Sequence, residues 1–188
     1  MQKRIVIFAS GSGTNAEAIA RYFDQHQSIR VSLIMSNRQD AYVLERADRI
    51  KIPSFVFSRT SFYESGKVLN RLIDEHPSLI VLAGFLWLIP ENILEHFPAQ
   101  IINIHPALLP KYGGKGMYGS KVHESVIAAG EKESGITIHY VNRYYDKGDI
   151  IFQAPCPVLP TDTPETLAKR IHKLEHKHYP EVIEKLLG

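Results

Sequence analysis

The chain has 188 residues, of which 44% are hydrophobic and 22% are charged, and it carries a formal net charge of +2 at pH 7. These values are typical of one soluble globular domain over residues 1–188 with a single large core. The net charge by itself is too small to indicate a nucleic acid partner, and no apolar run is long enough to span a membrane.

Short apolar runs alternate with helical patterns through the first half of the chain. The first run follows a basic start, but it is too short for a signal peptide and leads into Gly-Ser-Gly, so it predicts a strand. The predicted strands are Arg4–Ala9, Val31–Met35, Ser54–Phe57, Leu79–Ala83 and Ile101–Ile104. The predicted helices are Asn15–Phe23, Ala41–Ile50, a longer helix with Ser61 as its N-cap, and one with Pro90 in its first turn. This alternation predicts an α/β fold with a doubly wound, mostly parallel sheet.

The pattern changes after Pro106. Residues Lys111–Ser120 (KYGGKGMYGS) are rich in Gly and Lys and lack periodicity, so they predict a long loop. This loop is either a lid that brings Lys111 or Lys115 to a bound phosphate or a mobile surface segment. The remaining predicted elements are a helix over Val122–Ala129, two strands over Ile136–Val141 and Ile150–Ala154 that we expect to be antiparallel, and a final helix from Thr163-Pro164-Glu165 toward Leu187.

The segment Gly11-Ser12-Gly13-Thr14-Asn15 links the first strand to the first helix. Glycines let backbone N–H groups approach a ligand, and a helix N-terminus favours an anion, so a phosphate site is predicted, with a plain helix cap as the alternative. Through Ala16 the segment also matches the dinucleotide fingerprint G-x-G-x-x-A. The acidic residue that NAD requires is missing from Ser36-Asn37-Arg38, but Arg38 would accept the 2′-phosphate of NADP. A single phosphate on a small substrate is the simpler interpretation.

Asn103 and His105 stand at the end of an apolar strand, in the stretch NIHPALLP. Ligands of open α/β sheets collect at the carboxyl ends of the strands, and residues two apart in an extended segment point to the same side. Pro106 and Pro110 would hold the following backbone in an extended path. An Asn amide can donate to an oxyanion, and a His can move a proton near neutral pH, so this pair predicts a catalytic centre.

Two aspartates lie in the turn between the last two predicted strands, in the stretch Tyr144-Tyr145-Asp146-Lys147-Gly148-Asp149. A carboxylate beside an imidazole favours its protonated form, so one of them could support His105. The composition of the turn leaves open which aspartate points inward. An ordinary solvated turn residue is the alternative.

Five stretches together resemble the glycinamide ribonucleotide transformylases, a family of folate-dependent formyltransferases with a Rossmann-like fold. They are GSGTN, AGF at Ala83–Phe85, NIHPALLP, GITIHYV at Gly135–Val141, and Asp146-Lys147-Gly148. The resemblance implies transfer of a formyl group from 10-formyltetrahydrofolate, as co-substrate, to the amino group of glycinamide ribonucleotide in purine biosynthesis. It implies no metal, no nucleic acid partner and no membrane, and the sequence leaves open a monomer or a homodimer.

The resemblance also assigns roles to individual residues. It implies that the catalytic residues are Asn103, His105 and Asp146, that the substrate-binding residues are Gly13, Thr14, Asn15 and Glu175, and that the folate-binding residues are Leu86, Trp87, Leu88 and Ile89 with Asn103. His139 matches another polar residue of the family's active site. The family often uses an Arg for the glutamate tail of the folate. Arg59 lies before the expected position and Arg71 after it. Trp87 stands where the family has a second basic residue, so the sequence leaves open which residues contact the glutamate tail.

One short pattern and several related families offer alternatives to this interpretation. His172, Glu175 and His176 match the zinc motif H-x-x-E-H, but no third metal ligand is evident, so a surface helix is the favoured interpretation. The single Cys156 excludes an internal disulfide and fits a reducing compartment, so a cytoplasmic protein is predicted.

Methionyl-tRNA formyltransferases would need a further C-terminal domain, and formyltetrahydrofolate deformylases usually carry a regulatory domain. A nucleotide-binding module without catalysis would leave NIHP and Asp146 unused.

Overall fold

Seven strands form one sheet with helices on both faces in the computed structural model, which describes residues 2–188. The strands are β1 (Lys3–Phe8), β2 (Ile29–Ser36), β3 (Ser54–Val56), β4 (Leu79–Leu82), β5 (Ile101–His105), β6 (Glu133–Tyr140) and β7 (Ile150–Pro157). The helices are α1 (Thr14–Tyr22), α2 (Tyr42–Arg49), α3 (Arg59–Tyr63), α4 (Lys67–Glu75), α5 (Glu91–His96), α6 (Ser120–Ala128) and α7 (Pro164–Leu187). Within these described residues, no helix has the length and apolar character needed to cross a membrane.

The strand order is β3-β2-β1-β4-β5-β6-β7. Strands β1 to β5 are parallel, whereas β6 is antiparallel to both β5 and β7. The chain runs outward from β1 to β3 and then returns to the other side of β1 at β4. This reversal leaves a crevice at the carboxyl ends of β1 and β4, where doubly wound sheets bind their ligands. The predicted fold class, with its late antiparallel strands, is confirmed.

Alternate residues of β1 belong to different core layers. Ile5 and Ile7 pack in one buried cluster with residues of α1 and α7. Val6 and Phe8 point the other way and pack in a second cluster with residues of α3, α4 and α5. Side chains of a strand alternate between the faces of the sheet, so a strand covered on both sides needs apolar residues at every position. This explains the continuous apolar run IVIF at Ile5–Phe8.

The segment between β3 and β4 contradicts the predicted single helix with Ser61 as its N-cap. The side chain of Ser58 accepts a hydrogen bond from the Ser61 backbone N–H at 3.2 Å and thereby caps α3. A second helix, α4, follows after Gly66, which adopts a left-handed conformation with φ of 69°. Such a conformation interrupts a helix and favours glycine. The prediction was wrong because both serines are adequate caps in sequence, and only the turn at Gly66 separates the two helices.

The other element boundaries differ from the predictions by a few residues. Pro90 is the N-cap of α5 and not part of its first turn. Ser120, predicted to end the loop that starts at Lys111, is already the first residue of α6. The capping box at the start of α7 uses Thr163 and Thr166, with Pro164 as the first helical residue, as the sequence predicts.

Tyr179 fixes the long helix α7 to the sheet. Its side chain is fully buried, and its hydroxyl group donates to the carbonyl oxygens of Leu82 at 2.9 Å and Ile102 at 3.3 Å. Leu82 and Ile102 lie near the carboxyl ends of β4 and β5. Glu175 lies one helical turn before Tyr179, so this contact also sets the height of Glu175 above the sheet.

We expect Tyr179→Phe to lower the free energy of unfolding by about 1–2 kcal/mol, because two buried carbonyl groups lose a shared donor. Urea unfolding followed by circular dichroism measures the change. Tyr22→Phe is the matched control, because the Tyr22 hydroxyl donates to Glu184 on the exposed surface. An equal effect of both substitutions would contradict the anchoring role of Tyr179.

Candidate active site

A cavity of about 800 Å³ opens at the carboxyl ends of β1, β4 and β5. Its walls come from the loop after β1, the segment after β4, the end of β5, the loop before α6, and the helices α6 and α7. Every residue predicted to be catalytic or to bind the substrate lines this cavity, namely Gly13, Thr14, Asn15, Asn103, His105, Asp146 and Glu175. The structure therefore brings together residues that are up to about 160 positions apart in the chain.

Asn103 lies directly opposite His139 in the antiparallel pair β5–β6. The Nδ2 atom of Asn103 lies 3.2 Å from the Nε2 atom of His139, and the Nδ1 atom of His139 donates to the carbonyl oxygen of Tyr140 at 2.8 Å. The amide nitrogen of Asn103 therefore points into the site, and its N–H groups lie beside the His139 ring and the Asp146 carboxylate.

Asp146 is the aspartate of the β6–β7 turn that points inward, whereas Asp149 is exposed. One carboxylate oxygen of Asp146 lies 3.6 Å from His105 Nδ1, and the other lies 3.6 Å from His139 Nε2 and 3.5 Å from Asn103 Nδ2. The backbone N–H of Gly114 donates to Asp146 at 2.9 Å. Burial raises the pKa of Asp146, but the contacts with His139, His105 and Gly114 outweigh it, so the pKa lies below its ordinary value.

His105 is buried and has an acceptor near each ring nitrogen. Its Nε2 atom donates to the carbonyl oxygen of Tyr112 at 2.7 Å, and its Nδ1 atom faces Asp146. Burial lowers the pKa of His105, and this effect exceeds the opposite effects of Asp146 and of the Tyr112 carbonyl. Asp146 thus favours the protonated ring, as the sequence analysis expects, but burial has the larger effect and the net shift of the His105 pKa is downward.

The loop before α6 contributes backbone atoms of Tyr112 and Gly114 to the site. Tyr112 adopts a left-handed conformation with φ of 56°, which is uncommon for a bulky residue and marks a functional constraint. A methyl group on Gly113 would lie 2.4 Å from a Leu109 methyl carbon and 3.3 Å from the Cβ atom of Asp146. Of the two lysines in this loop, Lys115 lines the cavity, whereas Lys111 pairs with Glu131 at 2.9 Å on the surface.

The loop after β1 also lines the cavity. Gly13 precedes α1 in a left-handed conformation (φ 74°), and a Cβ atom there would lie 2.8 Å from the backbone of Val43. Only glycine fits this position without displacing α2. Asn15 donates through Nδ2 to the Glu175 carboxylate at 3.0 Å, and His172 donates to the same oxygen at 2.8 Å. The buried Glu175 thus connects α7 to the start of α1.

A second cavity of about 60 Å³ adjoins the first and shares Phe85, Asn103, Tyr145 and Asp146 with it. Three of the residues predicted to bind folate, Trp87, Leu88 and Ile89, line this smaller cavity, and Leu86 lines the larger one.

The H-x-x-E-H residues lie on α7. The rings of His172 and His176 are stacked with their centres 6.3 Å apart, and His172 is occupied by its hydrogen bond to Glu175. Among residues 2–188, no group of three potential ligands is placed to hold a metal ion.

Residues 3–183 match the sequence model of the formyl transferase family. The chain belongs to the formyl transferase family. Its relatives include the phosphoribosylglycinamide formyltransferase of Bacillus subtilis, which is 40% identical over 99% of this chain and 95% of its own length. The chloroplastic phosphoribosylglycinamide formyltransferase of Arabidopsis thaliana is 42% identical over 97% of this chain, which spans 64% of that relative.

A solved structure, glycinamide ribonucleotide transformylase 1 from Geobacillus kaustophilus, superimposes on this formyl transferase with a TM-score of 0.90. The two are 39% identical, and the match covers 100% of each chain. The resemblance to glycinamide ribonucleotide transformylases and the assignment as a formyl-transferring enzyme are confirmed. The G-x-G-x-x-A segment lies within the family match, and the relatives are named for formyl transfer.

Three contributors to the site of this formyl transferase were not predicted from the sequence. Tyr112 and Gly114 act through backbone atoms, so their side chains could not have identified them. His123 lines the cavity from α6, and its ring is buried. Its position beside Val122 and three residues before Val126, on the apolar side of α6, could have identified it as an inward-facing polar residue.

We expect Asp146→Asn to lower the pKa of His105 further, because Asp146 contributes more than Glu175, the other nearby negative charge, to favouring the imidazolium. At any fixed pH near neutrality, a smaller fraction of His105 would then be protonated. Histidine ring NMR titration, with His105→Gln to assign the resonance, measures the shift. Asp149→Asn in the same turn is the control and should leave the titration unchanged, whereas an upward or absent shift in Asp146→Asn would refute the coupling.

Proposed function

We propose that this formyl transferase transfers the formyl group of 10-formyltetrahydrofolate to the amino group of glycinamide ribonucleotide. The relatives named above carry this activity in their names. The observation that carries the proposal is one cavity lined both by the Gly13, Thr14 and Asn15 loop at the N-terminus of α1 and by Asn103, His105 and Asp146. The buried Cys156, without a disulfide partner, suits a reducing compartment such as the cytoplasm.

The anion end would hold the phosphate of glycinamide ribonucleotide. The first turn of α1 leaves backbone N–H groups without helical partners, and the helix dipole favours a negative charge there. The side chain of Asn15 is engaged with Glu175, so the main contribution of Gly13, Thr14 and Asn15 to the phosphate is from their backbone. Lys115 is the cation of the neighbouring loop that lines the same cavity.

The reacting end would stabilise a tetrahedral intermediate. The uncharged amine attacks the formyl carbon, and the carbonyl oxygen becomes an oxyanion that an N–H of Asn103 can bind in a sheltered site. The amine must lose a proton. A neutral His105, as its lowered pKa favours, can accept this proton directly or through a water, and Asp146 then stabilises the imidazolium. The proton can subsequently pass to the departing folate nitrogen.

The folate ring would occupy the smaller cavity and its junction with the larger one. Leu86, Trp87, Leu88 and Ile89 border this region and would contact the ring. The position puts the formyl group next to Asn103 and Asp146, which belong to both cavities. No metal is needed for this chemistry, since the oxyanion has an amide donor and the proton has an imidazole acceptor.

We expect Asn103→Ala to lower kcat by about 100- to 1000-fold, because removal of one oxyanion donor typically has this effect. The assay measures formyl transfer from 10-formyltetrahydrofolate to glycinamide ribonucleotide. Asn70→Ala, on the exposed side of α4, should keep the wild-type rate. A loss of only about twofold in Asn103→Ala would rule out the oxyanion role. No product from the wild-type enzyme would refute the proposed reaction itself.

A prediction about the folate tail follows from Arg59. Its guanidinium lies over the rings of Tyr63 at 4.9 Å and Trp87 at 5.7 Å, and the Tyr63 hydroxyl donates to the Leu88 carbonyl at 2.9 Å. This places an exposed cation beside the smaller cavity, where it can meet the glutamate carboxylates. We expect Arg59→Gln to raise KM for 10-formyltetrahydrofolate roughly 3- to 10-fold, without changing KM for glycinamide ribonucleotide.

Arg71→Gln is the control for this prediction, because Arg71 pairs with Glu75 on α4. A formylfolate that lacks the glutamate should be used equally well by the wild type and by Arg59→Gln. If the difference between the two enzymes persists with that shortened folate, Arg59 does not bind the tail.

A further inference from the structure

A buried histidine faces the cavity without any role in the reaction described so far. His123 lies in the first half of α6 and is 3% exposed. Its Nδ1 atom is enclosed and has no hydrogen-bond partner. Buried side-chain nitrogens almost always have partners, so an unpartnered one in a cavity wall calls for an explanation.

The enclosed Nδ1 atom determines what His123 can offer to a ligand. A buried N–H without an acceptor is less well tolerated than a buried lone pair, so the ring carries its proton on Nε2. A protonated ring would leave the Nδ1–H unpartnered, which agrees with the downward shift of the His123 pKa by burial and by His172. Since Nδ1 is enclosed, the part of the ring that borders the cavity is the Nε2 side. His123 therefore presents one neutral donor.

The neighbours of His123 define the part of the cavity that this donor serves. The groups that influence its charge are His172, Glu175 and His105. Glu175 is bonded to Asn15 of the phosphate loop, whereas His105 belongs to the reacting centre. His123 thus lines the same cavity as Glu175 and His105, close enough for the charge of each to influence it. A buried Asn15 Oδ1 atom is also unpartnered at the phosphate end of this region.

We propose that His123 is a specificity-determining residue that donates a hydrogen bond from Nε2 to a ribose hydroxyl of glycinamide ribonucleotide. This inference rests on the proposed function. A hydroxyl group both donates and accepts, and the carboxylate of Glu175 is the acceptor that complements the His123 donor in the same cavity. A second anion is disfavoured there because Glu175 is negatively charged. The chemical class recognised is therefore a neutral hydroxyl.

The test compares His123→Phe and His123→Gln with the wild type on glycinamide ribonucleotide and on its 2′-deoxy and 3′-deoxy analogues. For the wild type, loss of the recognised hydroxyl should lower kcat/KM roughly 10- to 100-fold. His123→Phe should show a similar loss on the full substrate and little further loss on that analogue. If His123→Phe loses no further activity on one of the two analogues, the hydroxyl that this analogue lacks is the one that His123 recognises. His123→Gln should recover part of the activity, since it restores a donor.

Stability and binding measurements separate this role from a structural one. Phe removes an unpartnered buried nitrogen, so His123→Phe should melt at or above the wild-type temperature. KM for 10-formyltetrahydrofolate should not change, and Glu124→Gln on the exposed side of α6 should behave as wild type. Wild-type KM for glycinamide ribonucleotide in His123→Phe, or equal further losses on both analogues, would overturn the inference. If the wild type makes no product, calorimetric binding of glycinamide ribonucleotide still tests His123 apart from the proposed reaction.

Discussion

The carboxylate of Asp146 connects three segments that are far apart in the chain. It contacts His105 and Asn103 of β5, His139 of β6, and the backbone N–H of Gly114 in the loop before α6. A buried carboxylate is costly unless charges and N–H groups surround it, so each contact stabilises the arrangement of the others. The position of the reacting centre depends on this one group, because it joins the β6–β7 turn to β5, to β6 and to the loop before α6.

Burial gives the same centre its chemical character. The environment lowers the pKa of both Asp146 and His105, so the carboxylate stays charged while the imidazole of the free enzyme tends to be neutral. These opposite charge preferences suit an amine that must lose a proton beside an oxygen that becomes negative. The loop takes part through Tyr112 and Gly114, which engage His105 and Asp146 with backbone atoms. A displacement of the loop would therefore change both groups together.

Helix α7 connects the sheet to the start of α1, as Asp146 connects the segments of the reacting centre. Tyr179 anchors it to β4 and β5, and Glu175, one turn earlier, links it to Asn15 at the start of α1. Two residues of the H-x-x-E-H motif, His172 and Glu175, are accounted for by this link, since His172 donates to Glu175. A motif that suggests a metal site in sequence thus becomes part of a hydrogen-bond network when the neighbouring elements are in place.

The sequence by itself determined the features that depend on local periodicity and turn chemistry. Continuous apolar runs identified the buried strands, the glycine loop identified the start of α1, and the spacing of Asn103 and His105 placed both at the end of β5. The break at Gly66 was missed, because competing caps such as Ser58 and Ser61 have similar local energies. The composition of the β6–β7 turn left open whether Asp146 or Asp149 points inward, and only the family resemblance named Asp146. In the folded chain Asp146 faces the site, in a turn with an irregular β6–β7 register at His139 and a left-handed conformation of Asp146 (φ 53°), and the local sequence specifies neither feature. The partners of His139 and Glu175, and the place of His123 in the cavity wall, were decided in the same way, because they depend on elements that meet only in the folded chain.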